Sequence, residues 1–61
     1  MYNIELENGK IIVTDFNKEI LFKEINDPLK SIITVPGKLA DEADTGIRRI
    51  SFNKDRVVMI Y

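Results

Sequence analysis

The Asn8-Gly9 pair constrains the fold of this chain more than any other feature of its sequence. It separates two short segments, residues 2–7 and 10–15, and apolar and polar residues alternate along the first of them. Asparagine and glycine tolerate the positive φ angles of a tight two-residue turn, so this pair is the strongest short-range signal for a β-hairpin. We therefore predict that the fold starts with two antiparallel strands.

A two-residue loop at Asn8-Gly9 fixes which residues lie opposite each other. It places Leu6 opposite Ile11 and Glu5 opposite Ile12, and every pair further along follows from these. One face of the hairpin is then apolar and consists of Tyr2, Ile4, Leu6, Ile11 and Val13. Ile12 falls among polar neighbours on the other face, where it is either simply exposed or part of a second covered face.

Residues 16–27 fit a helix or a strand, and we favour a short helix. In a helix, one face holds the apolar side chains of Leu21, Phe22 and Ile25. Asp15 or Asn17 would cap its start, and Pro28 would stop it. In a strand, the charged residues at positions 23 and 24 interrupt the alternation.

The remainder of the chain predicts three further strands. Residues 30–35 form one that ends at Pro36-Gly37, and residues 38–46 form a surface loop. Residues 47–52 and 57–61 are predicted to pair as a closing hairpin around residues 53–56. The predicted fold is a sheet-dominated α+β domain spanning residues 1–61, of order β-β-α-β-β-β, with hairpins at both ends.

The length and composition of the chain predict self-association. A domain of about 60 residues buries only about 60% of the surface that its unfolded chain exposes. This chain has 61 residues and no Cys or His, so it lacks disulfides and the usual zinc ligands as reinforcement. The last strand is apolar at successive positions, as strands covered on both faces are. We expect a homo-oligomer, a dimer in the first instance, with an interface of Ile32, Ile33, Val57, Val58, Met59 and Ile60.

The residues that most often carry catalysis are absent from the sequence. Without His or Cys there is no imidazole base and no thiolate nucleophile. The three glycines stand singly, outside any phosphate-binding motif, and the acids at positions 41, 42 and 44 lack the spacing of a calcium loop. We expect a protein that is not an enzyme, uses no cofactor and holds no metal.

The charges of the chain are polarised along the sequence. Residues 1–46 carry five lysines and nine acids, whereas residues 47–61 carry four basic residues and one acid. Arginines beside aromatic rings suit nucleic acid, because they contact phosphates while the rings stack on unpaired bases. This alternative site consists of Arg48, Arg49, Phe52, Lys54 and Arg56. The same cations suit acids within the chain or on a protein, and a pI of about 5.2 gives no basic field over the whole domain.

A protein partner is therefore our first expectation, with nucleic acid second. The expected contact residues are Ile12, Asp41, Glu42, Asp44 and Tyr61. A small acidic chain without catalytic groups suits a phage-encoded antagonist of a bacterial host or defence protein, which would act in the cytoplasm of the host cell. No segment approaches the about 20 apolar residues that cross a bilayer, so we expect no membrane partner.

Overall fold

The computed structural model describes residues 1–42 and 46–61, and over them the elements follow the predicted order β-β-α-β-β-β. The strands are β1 (Tyr2–Leu6), β2 (Ile11–Thr14), β3 (Ile32–Leu39), β4 (Arg48–Asn53) and β5 (Val57–Ile60), and helix α1 (Lys18–Ile25) lies between β2 and β3. All neighbouring strands are antiparallel, in the spatial order β4-β3-β2-β1-β5. The prediction of a small, sheet-dominated α+β domain is confirmed.

The predicted N-terminal hairpin is present, but its loop has three residues instead of two. The backbone N–H of Leu6 donates to the carbonyl oxygen of Lys10 at 2.9 Å, and the N–H of Gly9 donates to the carbonyl oxygen of Leu6 at 2.9 Å. Gly9 has φ 85°, a conformation that glycine adopts without steric cost. Three-residue hairpin loops commonly end in such a left-handed residue.

This longer loop shifts the predicted register by one residue. Ile4 pairs with Ile12 and Asn3 pairs with Val13, instead of Glu5 with Ile12 and Ile4 with Val13. Since a one-residue shift moves every side chain of a strand to the other face, Ile12 is fully buried in the core. Of the two alternatives for Ile12, exposure is therefore wrong and burial on a covered face is confirmed. Its placement on the face opposite to that of Ile4 and its assignment as a partner-binding residue are wrong.

Helix α1 is confirmed over the strand alternative, and Asn17 is its cap. The Asn17 side-chain oxygen accepts a hydrogen bond from the N–H of Ile20 at 3.1 Å, which satisfies one of the free donors at the helix start. Leu21 is fully buried and Ile25 packs against the core, whereas Phe22 is 45% exposed. The predicted apolar face is therefore correct for two of its three residues.

Strand β3 continues through Pro36-Gly37, where the sequence predicted its end. Its first part pairs with β4, and its last residues, Lys38 and Leu39, pair with β2. Pro36 lies just before this change of partner, where its carbonyl oxygen accepts a hydrogen bond from the Thr14 hydroxyl. Gly37 is needed for the close approach of β2, because a Cβ there would overlap the carbonyl oxygen of Val13. Residues 38 and 39 therefore belong to a strand and not to the predicted loop.

The predicted C-terminal hairpin is wrong, because β4 and β5 lie at opposite edges of the sheet. A 3₁₀ turn of three residues, Lys54–Arg56, joins them. In a flat sheet these edges would be four strand spacings apart, about 19 Å, and a 3₁₀ turn rises only about 2 Å per residue. The sheet must therefore curl until its two edges approach each other at this turn.

Hydrogen bonds hold the 3₁₀ turn in the position that directs β5 toward β1. Asn53 caps the turn by accepting from the N–H of Asp55 at 2.9 Å. The Lys54 ammonium donates to the carbonyl oxygen of Asp27 at 2.6 Å, which ties the turn to the segment after α1. At its other end, the carbonyl oxygen of Arg56 accepts from the N–H of Glu7 at 2.8 Å, next to the first β1–β5 pair.

The hydrophobic core lies inside the curled sheet. Its buried apolar residues are Tyr2, Ile4, Ile12, Leu21, Ile33, Val35 and Phe52. Two members correct earlier assignments. Ile33 is 1% exposed and so cannot form the predicted oligomer interface, and Phe52 is 5% exposed and so cannot stack on a nucleic-acid base.

Candidate protein-binding surface

The face of the sheet that points away from the core carries an apolar surface. Ile12, Ile4 and Ile60 form one cross-strand row inside the sheet. Because successive side chains of a strand point to opposite faces, their neighbours along β2, β1 and β5 point outward. These neighbours form two rows, Val13-Asn3-Tyr61 and Ile11-Glu5-Met59. We call the six residues the outer patch.

Four of the six side chains of the outer patch are apolar or aromatic, and they flank two polar ones. Met59 is 51% exposed and Tyr61 is 50% exposed. Ile11 and Val13 are half-buried. Burial of an apolar side chain against a partner contributes about 1.5–3 kcal/mol before the cost of association. The outer patch can therefore bind a partner through apolar contact alone.

A shallow cavity extends the outer patch at Val13. Its volume is about 200 Å³, and its lining includes Met1, Val13, Asp15, Lys38 and Ile47. Met1 is 84% exposed and Ile47 is 66% exposed. The cavity therefore offers apolar walls beside one carboxylate and one ammonium group, which suits an inserted side chain of a protein partner.

Glu5 lies at the centre of one row of the outer patch, between Ile11 and Met59. It is half-buried, and the ion pairs found among the described residues do not include it. A carboxylate surrounded by apolar side chains favours a partner that brings a cation to it, because a desolvated charge without a partner is costly.

The basic residues of the C-terminal segment do not come together as one surface. Arg48 pairs with Glu42 at 2.8 Å and Arg56 with Glu7 at 3.5 Å, from opposite ends of β4 and the turn after it. Lys54 donates to a backbone carbonyl, and Arg49 is exposed beside Pro36. With Phe52 in the core, the structure brings no aromatic side chain of this set to the cations.

The predicted acidic contact residues lie in different settings. Asp41 is exposed in the turn after β3, and Glu42 is half-buried beside Arg48. Asp44 lies outside the described residues. In the described part of the chain, no three acidic side chains come close enough to hold a metal ion.

The residues of the predicted oligomer interface do not share one surface, because the fold exposes some of them and turns others toward the core. Ile32, Val58 and Met59 are 55%, 56% and 51% exposed, whereas Val57 and Ile60 are half-buried against the core. An irregularity in the β1–β5 register, at which Leu6 pairs with Val57 and Glu5 with Met59, lets two residues three positions apart face the core. This bulge explains why four successive residues of β5 are apolar although the chain covers only one face of the strand.

The shifted pKa values of Tyr2 and Lys30 have causes in the surroundings of these side chains. Burial, and then the nearby charge of Asp15, raise the pKa of Tyr2. The Lys18 ammonium lies 5.0 Å from the centre of the Tyr2 ring, a cation–π distance. On the surface, the hydrogen bond from Lys30 to Glu24 raises the pKa of Lys30.

Sequence reasoning missed four members of the outer patch, namely Asn3, Glu5, Ile11 and Val13. The error in hairpin register hid Ile11 and Val13, because it placed them inside. Asn3 and Glu5 lie on the outer face in either register, but without Ile11 and Val13 nothing marks them as part of an apolar surface. The one signal for them is the run Ile11–Val13, which puts an apolar side chain on both faces of β2 in either register.

Comparisons with known proteins give no relative for this chain. No family model matches it, and neither the curated proteins nor the solved structures contain a match. In the part of the chain that the structure describes, no helix has the length and apolar character needed to cross a membrane.

Proposed function

We propose that this chain is a small, non-catalytic binding protein that acts by stoichiometric protein–protein contact, as a homo-oligomer. The observation that carries the proposal is the outer patch, in which four apolar side chains flank Glu5 and Asn3, and a cavity adjoins Val13. Contiguous apolar surface of this kind marks interaction sites more often than isolated exposed residues do.

The chemistry of the outer patch defines the partner. An apolar or aromatic side chain of the partner fills the cavity beside Val13, as anchor residues do at protein interfaces. A lysine or arginine of the partner pairs with Glu5, so that the carboxylate keeps a favourable partner when the surface is covered.

A phage-encoded antagonist of a bacterial host or defence protein would work in this way, since blocking a partner requires a complementary surface and no turnover. The proposed setting is the cytoplasm, where a chain without cysteine loses no stabilising bond to reduction. Nucleic-acid binding is the second candidate, and the internal partners of Arg48, Lys54 and Arg56 weigh against it.

Affinity capture from candidate host cells, followed by native mass spectrometry, tests the proposal. Wild type should retain a protein at a fixed molar ratio, and Tyr61→Ala should weaken its retention at least tenfold. Phe22→Ala is the matched control, because Phe22 is 45% exposed, compared with 50% for Tyr61, but lies on α1. The control should bind as wild type does, and both variants should keep the wild-type melting temperature within a few degrees.

Equal loss in the two variants, or equal retention, would contradict a role for the outer patch. Titration with labelled single- and double-stranded oligonucleotides at low salt tests the second candidate. Saturable binding that weakens linearly with salt on logarithmic axes, with a slope reduced in Arg49→Ala, would favour nucleic acid over protein.

A further inference from the structure

Strand β5 presents an open edge in the described sheet. The N–H and carbonyl groups of Asn3 and Tyr61 bond each other at 2.8 and 2.9 Å. In an antiparallel pair such bonded positions alternate with positions whose backbone groups point away from the neighbouring strand. The next residue along β5, Ile60, therefore directs its N–H and carbonyl groups toward the open edge.

The two edges of the sheet differ in charge, which affects how readily each pairs with another strand. Strand β4 carries two adjacent cations, Arg48 and Arg49, followed by polar residues among the apolar ones. Charged side chains on an edge are a common protection against strand pairing. From position 57 to 61 the β5 edge carries no charge, and Val58 and Met59 are more than half exposed there.

We infer that two copies of this chain pair through their β5 edges, antiparallel, about a two-fold axis at Met59. This inference rests on the proposed homo-oligomer and specifies how it forms. In this register Val58 lies opposite the partner's Ile60, so an uncharged residue meets an uncharged residue at each position. The open groups of Ile60 then gain hydrogen-bond partners on the second copy.

Charge favours this edge pairing over a dimer that packs the two outer patches face to face. Face-to-face packing would bury Glu5 of both copies close together, and like charges without water repel each other strongly. Edge pairing leaves Glu5 at the surface. It also places the outer patches of both copies on one continuous sheet, where a single partner can contact the two together.

The size of the molecule sets the expected strength of the dimer. A small stable interface buries about 600 Å² on each partner, and the whole chain exposes 4221 Å². A stable dimer must therefore cover about one seventh of the surface of each chain. Backbone pairing along the β5 edge covers that much only if the exposed side chains of the edge are covered too. We expect reversible dimerisation at micromolar concentration.

Disulfide trapping tests the geometry, because the chain has no cysteine of its own. On a two-fold axis between non-hydrogen-bonded residues the Cα atoms are about 4.5 Å apart, within the range that a disulfide spans. Met59→Cys should form a covalent dimer under mild oxidation at micromolar concentration. Ser51→Cys, an exposed position on the β4 edge, is the matched control and should stay monomeric.

A charge exchange supplies an independent test. Val58→Lys and Val58→Glu should each weaken dimerisation at least tenfold in sedimentation experiments, and an equal mixture of the two should recover it. A wild-type monomer at all concentrations would overturn the homo-oligomer and the edge pairing together. A wild-type oligomer that neither Met59→Cys traps nor Val58→Lys weakens would overturn the edge pairing alone, and leave the proposed function standing.

Discussion

The Tyr2 side chain is buried by the core although its hydroxyl group has no hydrogen-bond partner among the described residues. A buried hydroxyl without a partner costs about 1–3 kcal/mol. Tyr2→Phe removes that group and keeps the ring and its contact with Lys18. We expect the variant to be about 1 kcal/mol more stable than wild type in urea denaturation at pH 7. A loss of stability would show that the hydroxyl forms a bond in solution.

The same side chain makes the stability depend on pH in the alkaline range. Burial and the charge of Asp15 raise the pKa of Tyr2 above the ordinary value of 10.0. The unfolded chain therefore loses this proton first, and the free energy of unfolding decreases as the pH rises above about 10. Tyr2→Phe should lessen this decrease, whereas Tyr61→Phe, at a half-exposed ring, should retain it.

Single residues also explain why the outer patch escaped sequence analysis. Asn8-Gly9 fits a two-residue loop, but Glu7-Asn8-Gly9 fits a three-residue loop equally well, because glycine serves the left-handed position in both. The choice is made by the core, in which Ile4, Ile12 and Ile60 form one interior row. That row includes a strand far away in the sequence, so local patterns cannot identify it.

At the scale of elements, β3 depends on a glycine at its change of partner. Gly37→Ala should destabilise the fold by about 1–3 kcal/mol, because the new methyl group would overlap the backbone of Val13. Gly46→Ala is the matched control, since a Cβ there meets no atom of the described residues within 4 Å. Thermal unfolding of the two variants measures the difference. If both lose the same stability, crowding at β2 is not the reason for the glycine.

The elements that could be predicted are those with a local cause. Helix α1 has a capping residue, Asn17, and a buried side chain, Leu21, within a few positions of each other. The extension of β3 past Pro36 could not be predicted, because proline and glycine ordinarily end strands. Here they lie next to the point where β3 changes its partner from β4 to β2, and that change is a property of the whole sheet.

At the scale of the whole molecule, dimerisation should make thermal stability depend on protein concentration. A partner that binds only the folded chain adds stability by mass action, about 2.7 kcal/mol at one hundred times its dissociation constant. The melting temperature of wild type should therefore rise by several degrees over a hundredfold increase in concentration. That of Val58→Lys should rise less over the same range, because its dimer is weaker. A constant value for wild type would contradict the homo-oligomer.

The path of the whole chain was the least predictable feature of the fold. Strands close in sequence usually pair, which favours a hairpin of β4 with β5. The capped turn at Lys54–Arg56 and the hydrogen bond from Glu7 to Arg56 instead lead β5 to β1. Such distant pairing leaves no periodic trace in the sequence.

The pairing of β1 with β5 also determines when the sheet can be completed during synthesis of the chain. Ile4 and Ile60 are paired although 56 positions separate them. The ribosome makes β1 before β5, and β1 must wait for the three strands and the helix between them before its second neighbour emerges. Until then its edge stays open to other strands, and closing so long a loop is a slow step of folding. The nascent chain is therefore exposed to wrong pairing at β1 until β5 has emerged.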